Sequence, residues 1–133
     1  MDNQLLSKDF FYSISYLFYA VSYADKAMVT EEKREIVKYI RKDWAVSNTR
    51  FDSEELIYET MRTLIRETVT SKVALNKFED YYTVNRSLFS KDLKNKLLKA
   101  CHSICNVSAG KNKSELIILA KIHKLFTPRD VKI

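Results

Sequence analysis

The chain reads as a compact all-α bundle of about six or seven helices, and three observations carry that reading. It holds one glycine and one proline, where average usage would give about 9 and about 7, so strand-rich folds and glycine loops that cradle phosphates are largely excluded. Apolar residues recur three and four apart almost from end to end, the period of a helix with one buried face. The stretches between these runs are only a few residues long, which favours antiparallel neighbours. At 133 residues and 15.6 kDa the chain fits a single domain spanning 1–133. A domain of this size buries about 68% of its unfolded surface, enough for a core without staples.

The elements follow in order. Ile14, Leu17, Phe18 and Val21 form the first apolar stripe, which ends near Asp25. Thr30 suits the N-cap of a second helix with Ile36, Val37, Ile40 and Trp44 inward, closing before Ser47 and Asn48. Asp52 with Glu55 three residues on is a capping-box pattern opening a third helix through Leu56, Ile57, Met61, Leu64 and Ile65. A fourth runs from about Lys72 through Val73, Phe78, Tyr81, Tyr82 and Val84. Ser90 can cap a fifth, with Leu93, Leu97, Leu98, Cys101, Ile104 and Cys105 inward. Asn112 with Glu115 starts a sixth through Leu116, Leu119, Ile122, Leu125 and Phe126, and Pro128 ends it. Residues 12–44 and 93–126 read as two similar helical hairpins, a pseudo-repeat.

Several function classes drop out early. The longest uncharged run, Phe10 to Ala24, is 15 residues, short of the roughly 18 to 20 that cross a bilayer. The segment before it lacks the positive start of a secretory signal, so a cytoplasmic address is expected. Cys101 and Cys105 lie four apart, on one helix face, as small buried apolar groups. Only His102 and His123 remain to complete a zinc site, and no ligand-pair spacing links them. No Ser, His and Asp set has recognisable context, so a non-enzymatic protein is expected.

The acids fall at informative places. Asp25 lies four residues beyond Val21 and continues the buried face of the first helix, whereas Glu32 lies four before Ile36 and begins that of the second. Glu115 repeats the arrangement four before Leu119. Two carboxylates about 4 Å apart repel by about 4 kcal/mol at an effective dielectric near 20, so such a pair wants a cation, a basic partner or a proton. A hard divalent cation, Ca, Mg or Mn ahead of Zn, would suit oxygen ligands completed by loop carbonyls between Lys26 and Thr30. The competing reading is that Glu32 serves the first turn of its helix and Asp25 accepts bonds from the loop.

The run Ala20, Val21, Ser22, Tyr23, Ala24, Asp25, Lys26, Ala27, Met28, Val29, Thr30, Glu31, Glu32 resembles the tellurite-resistance TerB-like family. Its members show a small residue and Asp at a helix end, Glu seven positions on, and then aliphatics at helical spacing. The resemblance implies an all-helical cytoplasmic module linked in bacteria to stress and tellurite resistance. Metal-ion binding, or assembly with membrane-associated protein partners, would follow from it. Asp25 and Glu32 are the matching acids, with Glu115 as the counterpart in the second half. Lys26 stands where a glycine commonly follows the Asp, and Asn106 where the second half prefers Asp; both weaken a divalent site.

The basic residues mark a second candidate. The chain carries 23 Lys and Arg against 17 Asp and Glu, a net +6. Residues 91–133 alone hold ten basic and three acidic side chains, so the whole excess lies in the final third. Lys94, Lys99, Lys111, Lys113, Lys121 and Lys124, with Lys91, Lys96 and Arg129, can present a surface to nucleic acid phosphates, anionic lipid heads or an acidic partner. A solvated outer face with snorkelling lysines competes with this. Nine of the ten are Lys, whereas base readout prefers the forked Arg, which argues against sequence-specific DNA recognition. Tyr12, Tyr16, Tyr19 and Tyr23 recur along one side of the first helix, as a core edge or, if exposed, a homodimer face.

Overall fold

The computed structural model describes residues 7–22, 53–107 and 113–127. Five α-helices lie within them: α1 (Lys8–Ser22), α2 (Ser53–Arg66), α3 (Ser71–Val84), α4 (Lys91–Val107) and α5 (Lys113–Phe126), with one 3-10 turn, Arg86–Leu88. The described residues contain no strand, and the fold is all-α. The second expected helix, with Thr30 and Trp44, lies outside the described residues, as do the caps Asp52 and Asn112 and the terminator Pro128, so only the first helix of the first expected hairpin is described.

Helix α1 is the axis of the bundle and packs against all four of the others, most extensively α2 and α3. Phe10, Phe11, Ile14, Leu17, Phe18, Tyr19, Ala20 and Val21 are all fully buried, so both sides of this helix face protein rather than one stripe. Its serines are compatible with that burial because each hydroxyl bonds back within the helix. Ser13 donates to the Phe10 carbonyl at 2.6 Å, Ser15 to Phe11 at 2.7 Å and Ser22 to Phe18 at 2.9 Å. No buried hydroxyl among these three is left without an acceptor, which is the condition for polar groups in a core.

The tyrosine row divides accordingly. Tyr12 is exposed and Tyr16 half-buried, but Tyr19 is inside. Its hydroxyl donates to the carbonyls of Val69 at 2.6 Å and Leu64 at 3.3 Å, pinning α1 to the turn between α2 and α3. Ser71 adds a hydrogen bond to the Ala20 carbonyl at the same junction. Tyr19 therefore does not belong to any outer face shared with Tyr12 and Tyr16, and Tyr23 lies outside the described residues.

The turn itself is a Schellman-type helix ending. Val69 N–H donates to the Leu64 carbonyl at 3.1 Å and Thr68 N–H to Ile65 at 3.0 Å, with Thr68 in the left-handed region at φ 49°. Glycine usually occupies that position; this chain places a β-branched residue there. Thr70 then caps α3, accepting from Val73 N–H at 3.1 Å. Ser90 caps α4 as expected, accepting from Leu93 N–H at 3.1 Å.

Two inner faces differ from the expected stripes. In α3 the buried set is Ala74, Leu75, Phe78 and Tyr82, whereas Val73 is exposed and Val84 is 82% exposed. The buried positions follow the i, i+1, i+4, i+8 rule of one helix face, and Val84 falls off it. In α5 the inward set is Glu115, Ile118, Leu119, Ile122 and Phe126, so Leu116 turns outward instead of inward.

An aromatic cluster closes the end of the bundle where α1 begins and α3 and α5 finish. Phe89, just after the 3-10 turn, lies 5.9 Å from Phe10, 5.9 Å from Phe78 and 5.1 Å from Tyr82 between ring centroids. Phe126 joins through Tyr82 at 5.3 Å and Phe78 at 6.0 Å. Such tilted and edge-to-face pairs contribute about 0.5 to 1.5 kcal/mol each beyond burial. They fix the turn carrying Arg86 against the last turns of α3 and α5.

Candidate anion-binding site

At the rim of this aromatic cluster α3, the 3-10 turn and the end of α5 border an open cavity of about 390 Å³ lined by Glu79, Arg86, Lys121, Lys124, Leu125 and Thr127. Each wall has a local reason for its position. Glu79 follows the buried Phe78 on α3 and stands at the edge of the core face. Arg86 opens the 3-10 turn, which is held by Asn85. The Asn85 side-chain amide donates to the Tyr81 carbonyl at 2.9 Å, and Leu88 N–H donates to the Asn85 carbonyl at 2.9 Å. The Arg86 guanidinium carbon sits 5.4 Å from the Tyr82 ring centroid, within cation–π range. Lys121 and Lys124 stand three apart on one side of α5, flanking the buried Ile122.

The end of α5 is the negative pole of a helix dipole, which by itself disfavours an anion there. Other groups already answer it. Lys94 Nζ donates to the Phe126 carbonyl at 3.4 Å, and Thr127 donates to the His123 carbonyl from its N–H at 3.0 Å and its Oγ1 at 2.7 Å. Among the described residues no hydrogen bond or ion pair ties up the ammonium of Lys121 or Lys124, or the Glu79 carboxylate. Three cations thus surround a cavity with one acid on its wall. An anion about 4 Å from one of them gains about 1 kcal/mol in bulk water and about 4 kcal/mol at an effective dielectric near 20.

Of the basic residues expected to form a binding surface, Lys121 and Lys124 line this cavity. Lys94 serves α5 as a cap, Lys99 is exposed on α4 and Lys113 is exposed at the start of α5; Lys111 lies outside the described residues. Glu79, Arg86 and Thr127 were not marked by sequence. The charge excess pointed to the final third of the chain, whereas two of the lining residues come from elements before it.

The acidic site is described only in part. Asp25 and Glu32 lie outside the described residues, together with Lys26. Glu115 is 1% exposed in the first turn of α5, facing inward. Among the described residues no three His, Cys, Asp or Glu side chains gather as a metal shell would require, and Glu115 alone falls short of the six to eight oxygens a Ca²⁺ ion takes.

Two further titratable pairs stand apart from the cavity. His102 of α4 and His123 of α5 meet with their Nε2 atoms 2.8 Å apart. The ring centroids are 5.1 Å apart, the Nε2 separation plus one ring radius at each end, so the imidazoles meet tip to tip around one shared proton. Nothing in the sequence spacing links the two rings, because 21 residues on two helices separate them. Cys101 and Cys105 are both buried and form no disulfide, and burial, with Cys105 adding to it, pushes the Cys101 thiol far above its ordinary range. Such a thiol stays neutral and unreactive. Comparison with protein-family models, with curated proteins and with solved structures finds no match to this chain.

Proposed function

We propose that this protein is a non-enzymatic helical module that binds the anionic group of a phosphate-bearing ligand in the cavity between α3, the 3-10 turn and α5. The observation that carries the reading is the convergence of Arg86, Lys121 and Lys124 on one cavity with no ion pair to the single acid beside them. Fixed like charges around a wet cavity repel, and a phosphate relieves that repulsion while accepting hydrogen bonds from all three side chains. Glu79 leaves an acceptor on the same wall, which suits a ligand carrying a hydroxyl or amine near its phosphate.

Calorimetric titration with pyrophosphate tests the reading. Binding is expected to weaken steeply with added salt, and the double variant Lys121→Gln, Lys124→Gln is expected to lose most of it. Binding that ignores salt, or that survives in the double variant, would overturn the assignment to this cavity.

A second reading keeps the resemblance to TerB-like proteins, a stress-response module acting through partner binding. It is favoured by the inward-facing Glu115, which matches the position that resemblance implies. In it, Asp25 and Glu32 would join a cation or salt-bridge site. Heat on titration with Ca²⁺, Mg²⁺ or Mn²⁺ that disappears in Asp25→Asn supports it, and the absence of heat in both proteins removes it.

A further inference from the structure

The outer face of α5 combines two features that the cavity alone does not use. Leu116 and Ile117 are 50% and 49% exposed, and Ala120, one turn on, is exposed as well. Lys113 lies four residues before Ile117, Lys121 four after it and Lys124 four after Ala120, so the lysines border the apolar positions on one helix face. The only acid of α5, Glu115, points into the core. The face therefore presents aliphatic groups between lysines, with no outward-facing acid on α5 itself and with Glu79 of α3 beside Lys121 and Lys124 at the cavity.

We infer that this face docks on the surface of an anionic lipid bilayer, with Leu116 and Ile117 entering the headgroup layer and Lys113, Lys121 and Lys124 holding lipid phosphates. The inference rests on the anion-binding reading and supplies the source of the anion. Charge and side-chain type select this occupant. A second copy of the chain would set lysines against lysines. A nucleic acid would meet its phosphates but gain nothing from Leu116 and Ile117, because bases stack on aromatic and guanidinium planes rather than aliphatic branches. An anionic bilayer uses both features: apolar side chains bury about 5 to 10 Å deep while Lys ammoniums remain at the phosphates. No helix among the described residues is long and apolar enough to cross a membrane, so the contact made by these helices is peripheral.

Sedimentation of the full chain with phosphatidylcholine vesicles, with and without phosphatidylserine, tests this. Binding is expected only with phosphatidylserine, falling as salt rises. Each single Lys→Gln change at 113, 121 or 124 is expected to lower the partition coefficient about fivefold. Leu116→Asn with Ile117→Asn is expected to lower it at least about tenfold, with pyrophosphate binding and the thermal midpoint unchanged. If vesicle binding is the same in that double variant, the face is not inserted and the inference fails. If pyrophosphate binds but no vesicle does, docking fails and the anion-binding reading stands; if neither binds, both fail. If a single-stranded oligonucleotide is retained in place of vesicles, the partner is a nucleic acid and docking fails.

Discussion

Thr68 offers a quantitative check on the fold, because it holds a glycine's position with a β-branched side chain. At φ 49° its Cβ crowds the neighbouring carbonyl, a cost of about 1 to 2 kcal/mol for an L-residue in the left-handed region. The conformation is enforced by the two reverse hydrogen bonds, Val69 N–H to Leu64 and Thr68 N–H to Ile65, and by Tyr19 bonding the Leu64 and Val69 carbonyls from α1. Thr68→Gly removes the crowding but frees the unfolded chain, which returns about 0.5 to 1 kcal/mol. The Thr68 hydroxyl bonds only the exposed Glu67 carbonyl, which water can satisfy. The net expectation is a gain of about 0.5 to 1 kcal/mol, or a rise in thermal midpoint of about 2 to 4 °C for a domain of this size. Urea and thermal unfolding followed by circular dichroism measure it, with Thr68→Ala as the control that keeps Cβ. The reasoning is refuted if the glycine variant is no more stable than the alanine variant.

Other expectations are equally direct. Tyr19→Phe should cost about 1 kcal/mol by urea unfolding, a single hydrogen bond's worth, because the Leu64 carbonyl keeps its bond from Val69 N–H; a loss above about 3 kcal/mol would mean that the hydroxyl holds more than this turn. Cys101 should resist iodoacetamide in the native state and react only on unfolding. Because its proton is held more tightly in the folded chain, stability should be level below about pH 8.5, the usual thiol value, and fall as pH rises through it. Burial, reinforced by Tyr12 and Asp9, raises Tyr16 above the usual phenol range, so its absorbance change near 295 nm should lag that of an exposed tyrosine in an alkaline titration.

The helices were legible because their cause is local. Helical periodicity, scarce glycine and the Ser90 cap all act within a few residues, and they marked α1, α2, α3, α4 and α5 close to their observed bounds. The faces were less legible. Periodicity finds the strongest stripe, and in α1 that stripe concealed the other buried side, whose serines are satisfied by their own helix. The Thr68 ending was invisible because a threonine carries no left-handed signal; only the hydrogen bonds across the turn force it there. Pairings between helices were hidden for a similar reason. Nothing in the spacing of His102 and His123, or of Glu79, Arg86 and Lys121, states that packing on α1 brings them together.

The cavity at the end of α5 is best interrogated residue by residue, by following the backbone amide resonances of the full chain as pyrophosphate is added. The account predicts saturable shifts concentrated at Arg86, Lys121, Lys124 and Thr127 that vanish at high salt. Saturable shifts that leave these four residues unmoved, or no shifts at any concentration, would contradict it.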